Sequence, residues 1–342
     1  MSCSVIAVFL VSSACLAASL VSHSLSFSTV KSVNDSVNSA AVVITTKNRV
    51  EDLRKAVASA LAQTVPPEVV VADDGSTDGT PDIIAEEFPQ VRVCRSVKSV
   101  GYIVQRNRAA ALVKAPIIFS IDDDAVFSTP RIIEQTLAEF DRSQVGAVAI
   151  PFVDVNRSPE VKQRAPGIDR VFASYSFIGT AHALRRELFL KLGGYREILV
   201  HQGEEGDYST RMLDAGYITR CGLADPIHHF ESPRRSWARM DYYGSRNRIL
   251  YSWMNVPLPF FPVHLAVTSA LAFAFSMERG RFAVRLKGIL AGHALGLSGR
   301  SGRKAVTADA YRMSRELKGR GAVPLDEMVN RFPKLLKPRF EK

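Results

Sequence analysis

The order of residues predicts an α/β fold: a mostly parallel sheet flanked by helices, followed by a basic, helical C-terminal extension. Two observations carry this. Between residues 40 and 150, short β-branched, apolar runs alternate with stretches of helical periodicity, as strands joined by crossover helices do. Two of those runs, residues 68–72 and 116–121, lead directly into acidic turns, at the strand end where such sheets bind ligands.

Residues 41–46 (AVVITT) read as a buried strand, and residues 51–63 as a helix through Leu53, Val57, Ala60 and Leu61. A second strand, 68–72, runs into Asp73-Asp-Gly-Ser-Thr-Asp-Gly-Thr80. Residues 81–88 restart a helix, with Thr80 as its N-cap and Pro81 at the first helical position. A strand at 91–95, a helix at 102–113 and a strand at 116–121 follow, the last running into Asp122-Asp123-Asp124. Residues 132–140 read as a helix and 145–151 as a strand. Further on, 174–184 reads as one strand and 185–194 as a helix that Gly193-Gly194 ends. A helix opening at Gly203-Glu-Glu-Gly-Asp207 and a short strand at 217–221 follow, with His228-His229 in a loop. Helices are expected from Trp237 onward, and no repeat is apparent. The expected division is 1–39, 40–230 and 231–342.

Charge separates these parts. Residues 231–342 hold 21 Lys and Arg against 8 Asp and Glu, a net of +13, while residues 1–230 hold 23 against 26, a net of −3. The basic part carries no nucleic-acid motif and alternates with apolar stretches, which points to an anionic membrane surface or an anionic lipid-linked substrate and not to nucleic acid. Residues 5–21 are uncharged and resemble a signal-peptide core without its basic n-region, or a single anchor. Residues 260–277 form a second apolar run, expected to be interfacial or buried rather than spanning. Cys3, Cys15, Cys94 and Cys221 form no CxxC pair, which argues against a disulfide framework or a zinc site.

Four constellations carry chemistry. After a buried strand, a carboxylate of Asp73-Asp74 could accept the N3–H of uracil or thymine; the alternative is an Asp/Gly turn capping the next helix. Asp122, Asp123 and Asp124 repel one another at the end of an apolar strand, a cost that Mg²⁺ or Mn²⁺ would relieve; the alternative is an exposed acidic turn. Glu204-Glu205-Gly206-Asp207 offers a general base, or simply acids favoured by a helix N-terminus, with Arg211 four residues after Asp207 as its ion-pair partner. His228 could complete a metal shell, or the His pair could be structural.

Taken in order, Thr45-Thr-Lys-Asn-Arg49, Asp73–Asp78, Asn107, the Asp122–Asp124 triplet, Phe177-Ile-Gly179, Gly193-Gly-Tyr195 and Glu204-Glu-x-Asp-x-x-x-Arg211 resemble the family 2 inverting glycosyltransferases of GT-A fold. The resemblance runs from about residue 40 to 255 and ends in Tyr243-Gly-Ser-Arg-Asn-Arg248. It implies a nucleotide-binding sheet, with a donor half at 40–150 and an acceptor half at 151–230. Thr45, Asn48, Arg49, Asp73, Asp74, Ser76, Asn107, Asp122 and Asp123 would bind the donor, and Asp122, Asp124 and His228 the metal. Glu205 would be the catalytic base, where the family often has Asp, with Glu204 and Asp207 as the other candidates. The QxxRW signature of processive synthases is absent; the nearest stretch holds Arg234, Arg235 and Trp237. The expected activity is therefore transfer of one or a few sugars from a UDP- or dTDP-sugar to a glycan or lipid-linked acceptor. The expected place is the cytoplasmic face of a membrane, in envelope polysaccharide synthesis. A nucleotidyltransferase or dinucleotide oxidoreductase would need a glycine-rich loop that residues 45–49 lack, and a non-catalytic scaffold would not need intact Asp122, Asp124 and Glu205.

Overall fold

The structure is a computed structural model that describes residues 39–231, 236–278 and 281–340. The apolar stretch at 5–21, Arg234, Arg235 and Arg279 lie outside the described residues. The first half follows the expected alternation: β1 (Ala40–Thr46), α1 (Val50–Leu61), β2 (Glu68–Asp73), α2 (Thr80–Glu87), β3 (Arg92–Arg95), α3 (Tyr102–Leu112) and β4 (Ile117–Asp122). Then come β5 (Ala125–Phe127), α4 (Ile132–Ala138), β6 (Val145–Ala149), β7 (Phe152–Asp154), β8 (Val161–Lys162), β9 (Phe172–Ser174) and β10 (Ala181–Arg185). The chain continues through α5 (Arg186–Lys191), a 3₁₀ turn (Glu197–Leu199), α6 (Glu204–Asp214), β11 (Ile218–Cys221) and β12 (Ile227–His229). It closes with α7 (Trp237–Asn255), α8 (Phe261–Glu278), α9 (Phe282–Leu297), α10 (Ala308–Arg320), β13 (Ala322–Pro324) and α11 (Leu325–Arg331).

Among the described residues the main sheet has nine strands in the order β13-β9-β11-β6-β10-β4-β1-β2-β3, and a small sheet has the order β5-β12-β7-β8. The main sheet is parallel from β4 through β1 and β2 to β3, and β10 runs antiparallel between β4 and β6. The alternation of β1 explains its composition. Ala40, Val42 and Ile44 enter one hydrophobic core, and Ala41 and Val43 enter the other. A strand buried on both faces reads as a near-continuous apolar run, here from Ala40 to Ile44. The register is functional as well as structural, since Thr46 lies opposite Asp73 and Thr45 opposite Asp122. The ends of β1, β2 and β4 therefore open on one place.

Several expectations are corrected. Residues 174–184 are not one strand: β9 pairs with β11 and β13, whereas β10 sits on the far side of β6. The chain must leave the sheet between them, and it turns at Gly179-Thr180. Residues 145–151 end as a strand at Ala149, before Pro151. The N-cap of α2 is Gly79 in left-handed conformation, φ 79°, and Thr80 is already helical. His228-His229 belongs to a strand, not a loop. The part after residue 230 packs with the part before it. β13 joins the main sheet through β9, and Ala310, Met313, Leu317 and Val323 enter the same core as β1.

Candidate active site

A cavity of about 790 Å³ opens at the ends of β1, β2 and β4. Its walls include Thr45, Asp74, all three of Asp122–Asp124, and Glu204 with Glu205. The acidic triplet occupies the tight turn between β4 and β5, which keeps its three side chains close together. Asp123 accepts a hydrogen bond from the Thr46 hydroxyl (2.8 Å) and pairs with Arg49 (3.0 Å), which also reaches Asp124 (3.1 Å). Burial pushes Asp123 up to about 7 despite Arg49, and the Asp124 charge adds to the rise. Burial also acts on Asp124, but hydrogen bonds from His229 and the Arg49 charge hold it down at about 2.

His229 Nε2 lies 3.3 Å from Asp124, and Nδ1 lies 2.6 Å from Asp154. β12 carries this residue between β5 and β7, with His229 opposite both Ala125 and Asp154. One oxygen of each of Asp122 and Asp124 and one nitrogen of His229 lie within 4.8 Å of one another. Two carboxylates and an imidazole whose other nitrogen is held by Asp154 fit a divalent cation such as Mn²⁺ or Mg²⁺. His229, and not the expected His228, joins the pair, because neighbours on a strand face opposite ways.

Glu204 and Glu205 begin α6, where the helix dipole favours anions. Glu204 is fully buried and pairs with Arg106 (3.4 Å), whose guanidinium also binds Asp122 (2.7 Å). Arg106 thus joins the two acidic clusters. Loss of solvent, and then the Glu204 charge, raise Glu205 well above the ordinary carboxylate range. Gly179 makes the approach feasible: a Cβ there would sit 2.8 Å from the Glu205 carboxylate and 2.9 Å from the Arg106 guanidinium. Asp74 is held by Ser99, the backbone N–H groups of Val100 and Gly101, and Gln105. Gly75, φ +76°, lets that turn pass: a Cβ would meet the Ser99 nitrogen at 2.9 Å.

Other expected site residues stand behind this wall. Asp73 accepts from the Ser76 N–H, the Ser76 hydroxyl accepts from the Asn48 N–H, and the Asn48 side chain accepts from the Thr77 N–H. They shape the loop without lining the cavity. Asn107 also lies away from it, its amide bonded to the Tyr195 backbone in both directions. Asp207 is buried and bonded to Arg196, Arg211 and Asn255, so it is not placed to meet an acceptor. The expected Asp207–Arg211 contact is present at 2.9 Å. Sequence reading missed Arg106, although a signal existed: an arginine shares the buried stripe of α3 with Ile103, Ala109 and Ala110. It also missed Asp154, which is recognisable only as the partner of His229.

Comparison with known proteins bears on the family and the fold. Residues 41–196 match Glycosyl transferase family 2, and the chain carries a domain of that family. It is 31% identical over 209 residues to the succinoglycan biosynthesis protein ExoU of Rhizobium meliloti (strain 1021), covering 54% of this chain and 60% of that protein. It is 36% identical over 103 residues to the validoxylamine A glucosyltransferase of Streptomyces hygroscopicus subsp. limoneus, covering 28% and 22%. The chain thus spans less than two thirds of these curated relatives. Among solved structures, S. aureus TarS 1–349 in complex with UDP-GlcNAc superposes with a TM-score of 0.58 at 15% identity, covering 87% of this chain and 90% of that one. Mannosyltransferase PcManGT from Pyrobaculum calidifontis, in complex with GDP-Man and Mn²⁺, gives 0.51 at 18%, covering 76% and 87%. These likenesses show the fold: a mixed α/β sheet of GT-A type with C-terminal helices.

Proposed function

We propose that this protein transfers a single sugar from a nucleotide-diphosphate sugar, UDP- or dTDP-linked, to a hydroxyl of a glycan or lipid-linked acceptor, with inversion. The observation that carries this reading is one cavity with Asp122, Asp124 and His229 on one wall, Glu204 and Glu205 on another, and Arg106 between them. Family 2 membership of the domain supports it.

Glu205 removes the proton of the acceptor hydroxyl as that oxygen bonds to the anomeric carbon. The bond from this carbon to the diphosphate oxygen breaks, and its electron pair leaves with the nucleoside diphosphate. The raised pKa of Glu205 makes it a stronger base than an ordinary carboxylate. Asp122, Asp124 and His229 would hold Mn²⁺ or Mg²⁺, which neutralises charge growing on the leaving diphosphate. Arg106 fixes Glu204 and Asp122 relative to each other, so base and leaving group keep their separation. With no QxxRW signature, the product leaves after one addition or very few. The reaction belongs at the cytoplasmic face of a membrane, where nucleotide sugars are available, and ExoU's role in succinoglycan biosynthesis supports a place in polysaccharide assembly.

Calorimetric screening of nucleotide sugars with and without Mn²⁺ tests this. Metal-dependent binding of a UDP- or dTDP-sugar is expected. Binding of none of them, or binding indifferent to EDTA, would overturn it.

A further inference from the structure

Helix α8 is turned inside out for a helix in water. Residues 258–277 contain no charged side chain. Of the four polar ones, His264, Ser269 and Ser276 face inward, where they bond Tyr311, His293 and the Ala272 carbonyl, and Thr268 is half-buried. The outward face is apolar along its length: Val263 is 69% exposed, Leu271 63% and Met277 66%, with Val267 between them. Helix α9 continues the surface with Leu290 and Leu297. An ordinary surface helix buries its apolar stripe and shows its polar face, and contiguous apolar exposure of this kind marks a contact surface.

Charge identifies the contact. Residues 281–304 hold six Lys and Arg and no Asp or Glu. Lys287 lies on the exposed stripe of α9, one turn before Leu290, and Arg300 and Lys304 are exposed just beyond the helix. None of these three pairs with an acid among the described residues. Apolar side chains fringed by uncommitted cations match one leaflet of an anionic bilayer, chains below and phosphates above. Among the described residues no helix is long and apolar enough to cross a membrane.

The surface adjoins the cavity. Arg281, at the start of α9, bonds Asp241 (2.6 Å) and lies over the Trp237 ring. Ser236, Arg239 and Met240, from the same end of α7, line the cavity. We infer that α8 and α9 form an interfacial docking face for an anionic bilayer, which brings the α7 rim of the cavity to the lipid surface and presents a lipid-carried acceptor there. Presentation of the acceptor rests on the proposed function; the docking itself does not, and its test reads binding alone.

Flotation of the full chain with vesicles of phosphatidylcholine, with and without phosphatidylglycerol, tests it. The wild type should float with the phosphatidylglycerol vesicles and less with the neutral ones. Val267→Glu/Leu271→Glu should cut the bound fraction by about tenfold or more, and Lys287→Gln/Lys304→Gln should cut binding to the anionic vesicles alone. Ile168→Glu, an exposed apolar position elsewhere, should bind as wild type. Thermal unfolding checks that each variant folds, and the charge variant keeps the test decisive if the double glutamate does not. Wild type that floats with neither vesicle overturns the inference. So does equal binding by all variants, which would put the contact on another part of the chain. A dimer that Val267→Glu/Leu271→Glu dissociates, with no vesicle binding, would make the occupant a second copy of this chain.

Discussion

The triplet Asp122–Asp124 and the run Glu204–Asp207 are alike as strings of acids, yet the fold uses them differently. The triplet lies in a tight turn at a strand end, and all three residues line the cavity, shared among Thr46, Arg49, Arg106 and His229. In the second run only Glu204 and Glu205 reach the cavity. Asp207 lies three residues along α6, about 4.5 Å deeper at the helical rise, where Arg196, Arg211 and Asn255 hold it. A turn at a strand end concentrates charge at one point, whereas a helix distributes it along its axis. The same composition therefore gives a cation site in one place and, in the other, a base with a structural ion pair behind it.

Four measurements put that contrast at risk. The largest effect is expected from Asp124→Ala or Asp122→Ala, which should abolish Mn²⁺-dependent binding of a nucleoside diphosphate and slow transfer by roughly 10³–10⁴. EDTA-insensitive binding that survives in both variants would remove the cation from the triplet.

Glu205→Gln should leave donor binding within a few-fold and slow transfer by about 10²–10⁴. A base must be deprotonated to act, so with its raised pKa the wild-type kcat/KM should rise with pH through that value and level off above it. If Glu204→Gln is the dead variant and Glu205→Gln transfers normally, the base is the other glutamate.

His229→Ala should weaken cation binding severely, and Asp154→Asn, which loosens only the orientation of the ring, by about 10–100-fold. His228→Ala should bind the cation as wild type does. The reverse result for the two histidines would contradict the strand alternation of β12.

Asp207→Asn should give the smallest kinetic effect, with kcat and KM unchanged within about twofold, and a loss of roughly 2–4 kcal/mol in stability as Arg196 and Arg211 lose their buried charge partner. Urea unfolding alongside kinetics would separate the two. A stable but inactive Asp207→Asn would make the second run as functional as the first.

The alternation of strands and helices to residue 122 is legible in the sequence because a strand buried on both faces reads as a near-continuous apolar run, as β1 does from Ala40 to Ile44. The acids Asp73-Asp74 and Asp122–Asp124 are legible too, since a carboxylate next to a buried strand is costly unless water, a cation or a ligand meets it there. Asn107 and Asp207 lie in stretches that carry the resemblance, but, apart from Arg211 four residues after Asp207, the partners that hold them are the Tyr195 backbone, Arg196 and Asn255, which lie further off in sequence. Nothing local distinguishes them from residues that line a cavity. The inverted face of α8 lies between, since the run at 260–277 is visible as apolar but its outward direction is not.

By itself the sequence determined the α/β order, the place of the acids at strand ends and the basic, apolar character of the C-terminal part. These depend on side-chain pattern against a fixed backbone period, which is local information. Only the tertiary structure decided that His229 and not His228 joins Asp124, that Arg106 connects the two acidic clusters, that β13 completes the main sheet and that α8 shows its apolar side. Each of these is a pairing of segments far apart in the chain. The energy of such a contact belongs to both partners at once, so neither segment's sequence contains it.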